Sequence, residues 1–267
     1  HVSESNSVLM GRLESTCKDY EALYLKQSAV VNAKAMCEAL IGENQFFHEE
    51  VTNLTCKGEY WEINNYKSST VILATGAYEK LLDLPYIALR GVWGHRIDIE
   101  TSTKIPCNIH QYVSISASKE GSTAIGATHN VHYHPQKNEE AYDIEAGRAE
   151  LLEKASQTIA LEDVKIIKDY MGLRSGSNDY LPIIGPLVDV EETLKKLPNI
   201  TQGEKYSRSD LCYYPNLTMI NGTGGYGFVL APYLASQLAD HIVHTLSIDK
   251  RLEPARFFER WVKKTML

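Results

Sequence analysis

The 267-residue sequence lacks any apolar run long enough to cross a bilayer, and it lacks the basic, apolar and small-residue succession of a secretory leader. It is also poor in cysteine, with five residues, an odd number, widely spaced and without a Cys-x-x-Cys pair. These absences argue against a disulfide framework and favour reduced thiols. We therefore expect a soluble, cytoplasmic protein with no membrane partner. The cysteines are Cys17, Cys37, Cys56, Cys107 and Cys212.

The sequence has fewer positive than negative side chains: 27 Lys and Arg and 34 Asp and Glu give a formal net charge of −7. This balance argues against a chain that coats nucleic acid over its whole surface, but it leaves room for a local basic patch. Segment 250–264 has such an excess, which fits either a solvated helix face or contacts with phosphates. Its cations are Lys250, Arg251, Arg256, Arg260, Lys263 and Lys264.

The chain has no internal repeat, low-complexity tract or Gly/Ser linker, and its elements alternate in type. Apolar spacing predicts helices at 30–42, 139–160, 226–246 and 251–267. Strands are predicted at 45–56, 59–66, 69–78, 89–100, 108–118, 122–133 and 216–222. The continuous apolar run at 69–78 predicts burial on both faces, whereas the alternating strands from 89 to 133 predict an antiparallel sheet with one wet face. The opening residues HVSESNSV, without a methionine, indicate a fragment.

The segment GTGGYG contains a literal G-x-G-x-x-G at Gly222, Gly224 and Gly227. A dinucleotide fingerprint requires a second strand after the helix and an acidic residue about 20 positions on, whereas only a charged helical tail follows here. Two interpretations remain open. The glycines permit only a tight turn, or they let the backbone approach a planar or anionic group at the positive end of the next helix.

A lone arginine, Arg174, lies in MGLRSGSNDYLPIIGPL among small polar residues that lead into an apolar segment. Its planar fork matches a carboxylate bidentately, which makes it a good ligand for an amino-acid-like substrate. The alternative is a solvated arginine, or one paired with a nearby acid such as Asp179.

Three histidines, His129, His132 and His134, lie within six residues in THNVHYHP. On an extended strand His132 and His134 share a face and His129 points away, so a closed zinc site would need remote ligands. We predict no metal site and expect partly exposed histidines near a substrate entrance.

Three segments stand in the order typical of one flavoprotein family: VILATGAY, GLRSGSNDYLPIIG and GTGGYGFVLAP. In these motifs the chain resembles the D-amino-acid oxidase/glycine oxidase family. The resemblance implies an FAD cofactor and a mixed α/β (α+β) fold. It implies a partial Rossmann-like FAD-binding domain, from 1–81 and 173–267, interleaved with an antiparallel-sheet substrate domain at 82–172. The family's first βαβ unit, which binds the FAD pyrophosphate, has no counterpart in this sequence.

The resemblance also implies roles for individual residues. Arg174 matches the arginine that binds the substrate carboxylate, and Tyr112 resembles a hydroxyl that gives this carboxylate a second bond, although packing within a sheet is an equal explanation. Val51 matches a residue whose backbone lies near the adenine, and Thr75 and Gly76 match a turn that approaches FAD. The residues matched to the flavin-facing turn are Gly222, Gly224, Gly225, Tyr226, Gly227 and Phe228. Gly225 stands where the family often carries a polar or charged side chain.

Within the family, RSGSNDYLPIIGPLVDVEETL and LEPARFFERWVKK resemble most the oxidase modules that act on the wobble uridine of tRNA. Such modules remove the carboxymethyl group from 5-carboxymethylaminomethyluridine, an N-substituted glycine, and work beside a methyltransferase module that nothing in this sequence resembles. The resemblance therefore implies FAD-dependent oxidation of an N-substituted glycine on tRNA. Two alternatives remain: an oxidase of free glycine, sarcosine or a D-amino acid, and a non-catalytic module that binds tRNA or a partner chain.

Overall fold

The computed structural model describes residues 31–78 and 81–265, which form two compact units. Within this range the first unit takes in 31–46 and 93–172, and the second takes in 47–92 and 173–265. Residues 1–30, with Cys17 and the start of the first predicted helix, lie outside the described residues, and the predicted domain boundaries remain a proposal. No helix among the described residues is long and apolar enough to cross a membrane.

The described elements are mostly short strands. The strands are β1 (Leu54–Cys56), β2 (Trp61–Ile63), β3 (Tyr66–Ser68), β4 (Val71–Leu73), β5 (Leu89–Glu100), β6 (Ile109–His110), β7 (Ser114–Ile115), β8 (Ser122–Gly126), β9 (Lys165–Ser177), β10 (Ile183–Val188) and β11 (Tyr213–Asn221). The α-helices are α1 (Ala33–Ile41), α2 (Ile144–Ser156), α3 (Val190–Lys196), α4 (Gly227–His244) and α5 (Ala255–Thr265). Three-residue 3-10 helices lie at Ile200–Gln202, Arg208–Asp210 and Gly224–Tyr226.

A five-stranded sheet, in the order β6-β7-β8-β5-β9, carries the core of the first unit. β5 is antiparallel to β8, which places Ile97 opposite Ile125. Ile97 and Ile99 are buried together with Leu151 of α2, Asp98 between them is partly exposed, and Arg96 and Glu100 on either side are exposed. This alternation confirms the prediction of an antiparallel sheet with one wet face.

The second unit contains a three-stranded sheet in the order β10-β11-β4 and a separate meander in the order β1-β2-β3. β10 pairs with β11 antiparallel, and β11 pairs with β4 parallel. Buried side chains from these strands and from α5, among them Trp61, Leu217 and Phe258, form one core cluster. A smaller cluster joins Ile184 of β10 to Leu234 and Leu238 of α4. The glycine-rich turn follows the end of β11 and leads into α4.

The strand predicted at 69–78 is only three residues long as β4, and the expectation of burial on both faces is wrong. Ile72 is 48% exposed, whereas Leu73 is buried. Among the described strands β4 is the edge of its sheet, paired with β11 alone. The exposure of Ile72 shows that the described residues cover only the face of β4 that carries Leu73.

Two other predicted strands are shorter than expected, and in the part that each one lacks an asparagine side chain accepts backbone hydrogen bonds. Before β1, Asn64 Oδ1 accepts from the N–H groups of Thr52 and Asn53, at 3.0 and 3.1 Å. After β8, Asn130 Oδ1 accepts from the N–H groups of His132 and Tyr133, at 2.8 and 3.0 Å. Such side-chain bonds compete with a strand ladder. The histidine-containing segment is therefore not the extended strand that the sequence predicted.

All four predicted helices are present within the described residues, with shifted ends. The helix predicted from 139 begins at Asp143, whose side chain accepts from Ala146 N, as an N-cap does. The strands β9 and β10 and the helix α3 were not predicted.

Candidate functional site

Asn221, at the end of β11, joins the three segments on which the family resemblance rests. The side chain is buried, with 6% exposure. Its Nδ2 donates to the Gly76 carbonyl at 3.0 Å, and its Oδ1 accepts from Ser175 Oγ at 2.7 Å and from the Gly222 N–H at 2.8 Å. The Ala-Thr-Gly turn, the strand of Arg174 and the glycine-rich turn therefore meet at one side chain. Sequence reasoning missed Asn221, and its only signal is its place immediately before GTGG.

Gly222 must be glycine for steric reasons. Its φ is +71°, in the left-handed region, and a Cβ there would lie 3.2 Å from Ile183 Cγ1 and 3.3 Å from Ser177 Cβ. The tight-turn interpretation therefore holds at this position.

Gly224 and Gly225 have a different environment, because a Cβ on either would meet nothing within 4 Å among the described residues. They form one 3-10 turn with Tyr226, and α4 starts directly afterwards at Gly227. No side chain in the described part of the chain caps the start of α4, which follows this turn directly, so the positive end of the helix has no side-chain partner there. The arrangement can accommodate a planar group that carries negative charge.

Arg174 lies on β9, one residue before Ser175, and is half-buried. Burial lowers the pKa of its guanidinium, which nevertheless stays charged because the ordinary value is so high. Ser175 directs its side chain to Asn221, and because successive side chains of a strand point to opposite faces, Arg174 lies on the other face of β9. A half-buried permanent cation suits a carboxylate, and this role of Arg174 stays a prediction.

Asp179, the acid weighed as a partner for Arg174, binds arginines of the C-terminal helix. Its two carboxylate oxygens accept from Arg256 Nε at 2.9 Å and Nη2 at 3.1 Å, and Arg260 Nη1 adds a contact at 2.8 Å. Burial by itself raises the pKa of Asp179, but the hydrogen bonds and charge of Arg256 hold it well below its usual range. α5 therefore fixes the turn that follows β9.

This pairing corrects the expectation for the basic tail. Arg256 is only 5% exposed, and Arg251 is paired with Asp249 at 2.6 Å. Arg256 therefore holds the fold together, and the idea that it contacts phosphates is wrong.

Tyr112 belongs to the first unit, whereas Arg174 belongs to the second. It lies in the bend between β6 and β7, not within a strand as predicted, and is 52% exposed. Its substrate role stays a prediction. Val51 precedes β1 and Thr75 adjoins Gly76, both half-buried, and their FAD roles also stay predictions.

The histidines of THNVHYHP form no recognisable metal centre. Among the described residues there is no group of three His, Cys, Asp or Glu that could hold a metal ion.

A family model described as FAD dependent oxidoreductase matches residues 9–241. Since this is most of the chain, the protein belongs to the D-amino-acid oxidase (DAO) family of FAD-dependent oxidoreductases. The predicted family and cofactor are thereby confirmed: FAD is the cofactor, and oxidoreduction is the chemistry of the family.

Among curated relatives, the chain is similar to proteins named tRNA 5-methylaminomethyl-2-thiouridine biosynthesis bifunctional protein MnmC. Those of Legionella pneumophila (strain Philadelphia 1) and Dichelobacter nodosus are each 25% identical, over 253 and 264 residues. The matches cover 89% and 90% of this chain but only 37% and 40% of the relatives, so the chain spans about two fifths of their length.

Among solved structures, the fold is similar to glycine oxidase from Bacillus cereus, with a TM-score of 0.54 and 18% identity over 74% of this chain and 50% of that one. It is also similar to iminodiacetate oxidase from Chelativorans, with a TM-score of 0.52 and 16% identity over 76% of this chain and 52% of that one. At these identities the likeness concerns the fold alone, and it confirms the predicted fold class.

Proposed function

We propose that this chain oxidises an N-substituted glycine with FAD, and that its substrate is the carboxymethylaminomethyl group on the wobble uridine of tRNA. The observation that carries the proposal is the buried Asn221 side chain, whose hydrogen bonds to Ser175 and Gly222 join the strand of the half-buried Arg174 to the glycine-rich turn. A carboxylate-binding cation and an open turn at a helix N-terminus are the two parts that oxidation of a glycine derivative requires.

The open turn fits the ring system of FAD. The free space beside Gly224 and Gly225 leaves room for a planar group, and the uncapped first turn of α4 offers backbone N–H groups to negative charge. In this proposal Gly222, Gly224 to Phe228, Thr75 and Gly76 border the flavin, and Val51 lies near the adenine.

The chain's task in such a reaction is positioning. Arg174 binds the substrate carboxylate with its fork, which directs the neighbouring methylene toward the turn at Gly224. FAD, when bound, supplies a two-electron acceptor for the oxidation, and hydrolysis of the imine product releases glyoxylate and the shortened amine.

The tRNA substrate is supported by the relatives named for 5-methylaminomethyl-2-thiouridine biosynthesis. In the parent protein a methyltransferase module would then act on the freed amine. A free amino acid such as glycine, sarcosine or a D-amino acid is the second candidate. It is favoured by the net charge of −7 and by the internal pairing of Arg256, both of which reduce the charge available to RNA.

The test is an FAD titration of the purified chain followed by a glyoxylate assay. We expect flavin absorbance bands shifted from those of free FAD, and glyoxylate from tRNA that carries 5-carboxymethylaminomethyluridine. Glyoxylate from sarcosine but not from tRNA would select the second candidate. Unshifted flavin bands together with no glyoxylate would reject both, and would leave a non-catalytic binding module.

A further inference from the structure

Tyr180 is exposed and has an unfavourable backbone conformation. Its φ is +63°, in the left-handed region that side chains other than those of Asn and Asp rarely occupy. The side chain is 76% exposed, so no burial of its ring offsets this cost. Strain of this kind persists where surrounding structure imposes it, and it is concentrated at functional sites.

Neighbouring residues hold Tyr180 in this backbone conformation. Tyr180 lies in the turn between β9 and β10, and the preceding residue, Asp179, is held by Arg256 of α5. The ring itself is positioned by Arg90, whose guanidinium carbon lies 4.7 Å from the ring centroid and whose Nη1 donates to the tyrosine hydroxyl at 3.2 Å. Arg90 Nε is buried and has no hydrogen-bond partner among the described residues.

The turn is linked to the glycine-rich turn through Ser177. Ser177, three residues before Tyr180, packs closely against Gly222, where a Cβ would lie 3.3 Å from the Ser177 Cβ. The Ser177 hydroxyl donates to the Leu181 carbonyl at 2.7 Å. Arg174 precedes Ser177 by three residues on the same strand. The exposed ring therefore follows directly from the strand that carries the carboxylate-binding arginine.

We propose that Tyr180 stacks against the pyrimidine ring of the substrate nucleotide, with Arg90 holding the tyrosine ring in place. This inference rests on the proposed function and identifies the residue that distinguishes a nucleoside from a free amino acid. Every nucleobase offers a π face to an exposed aromatic ring, and a guanidinium beside it adds charge for a ring oxygen or phosphate. A free glycine or sarcosine has no ring to stack, and would gain nothing from an ordered tyrosine there.

The experiment measures binding of an anticodon stem-loop RNA with 5-carboxymethylaminomethyluridine at the wobble position, by fluorescence anisotropy. Tyr180→Asn removes the ring but suits the left-handed backbone, so that the fold is kept. Tyr180→Phe keeps the ring. We expect the Asn variant to weaken the Kd about tenfold or more and the Phe variant by less than about threefold. Tyr60→Ala is the matched control, since Tyr60 also has a cation over its ring, Lys67 Nζ at 4.9 Å, and lies in the β1-β2 turn.

A second readout compares substrates. The ratio of kcat/KM for tRNA to kcat/KM for sarcosine should fall about tenfold in Tyr180→Asn and stay constant in Tyr60→Ala. An unchanged Kd in Tyr180→Asn, or an equal loss with both substrates, would overturn the stacking role. If the wild-type chain oxidises neither substrate, the proposed function fails, while the RNA-binding comparison still decides the role of Tyr180.

Discussion

In the proposed carboxylate site, the role of Arg174 depends on the shape of its guanidinium as well as on its charge. A lysine would keep a positive charge on β9 but would replace two parallel N–H donors with a single ammonium group. We expect Arg174→Lys to raise the KM for an N-substituted glycine about 10- to 100-fold, because one charge-assisted hydrogen bond contributes about 1.5–3 kcal/mol. Steady-state glyoxylate production measures this.

The control for this substitution is Arg251→Lys. Arg251 is exposed and paired with Asp249, so the same change there should leave both kcat and KM near the wild-type values. A wild-type KM in Arg174→Lys would remove Arg174 from the carboxylate site.

At the scale of elements, α5 stabilises the turn between β9 and β10 through Asp179. The folded pKa of Asp179 lies below its unfolded value of about 3.9, so its contribution to stability is fully present above that value. The contribution is lost as the pH falls through the folded pKa. We expect Asp179→Asn to cost about 3–5 kcal/mol at pH 7, because it leaves Arg256 buried without its carboxylate, and to flatten the loss of stability below about pH 4.

Urea unfolding of wild type and variant, at pH 7 and below pH 4, tests this prediction. Asp249→Asn is the matched control, since its ion pair with Arg251 is exposed and should contribute less than about 1 kcal/mol. Parallel acid profiles for wild type and Asp179→Asn would contradict a structural role for the pair.

Elements with a clear period could be predicted, and elements governed by single side chains could not. The alternation of β5 and the apolar spacing of α4 are properties of the local sequence, and both elements were found close to their predicted ends. The late start of β1 and the early end of β8 leave backbone N–H groups that donate to the side chains of Asn64 and Asn130, and no local period indicates such bonds. β10 was missed because its apolar run includes Gly185 and Pro186, which normally indicate a turn.

At the scale of the whole molecule, the candidate site is assembled from segments far apart in the chain. Asn221 and Gly76 are 145 positions apart, and Asn221 and Ser175 are 46 apart. The motifs themselves could be recognised from the sequence through the family resemblance. The residue that connects them could not, because a single asparagine before a glycine-rich turn has no period and no motif of its own.

This assembly predicts how the molecule responds to FAD. If Asn221 couples the three segments, FAD at the open turn should slow hydrogen exchange together in 71–78, 174–178 and 221–228. The helix α2, which packs in the other unit, should show no change. Hydrogen-exchange mass spectrometry with and without FAD measures this.

Asn221→Ala should separate the responses. The substitution deletes the hydrogen bonds to Gly76, Ser175 and Gly222, and each of these groups loses a partner. We expect the free energy of unfolding to fall by about 1–3 kcal/mol. Protection by FAD should then be confined to 221–228, where the uncapped start of α4 is intact, while 71–78 exchanges as it does without FAD. Undiminished protection of all three segments in Asn221→Ala would mean that they are coupled through the cofactor itself and that the asparagine is not what connects them.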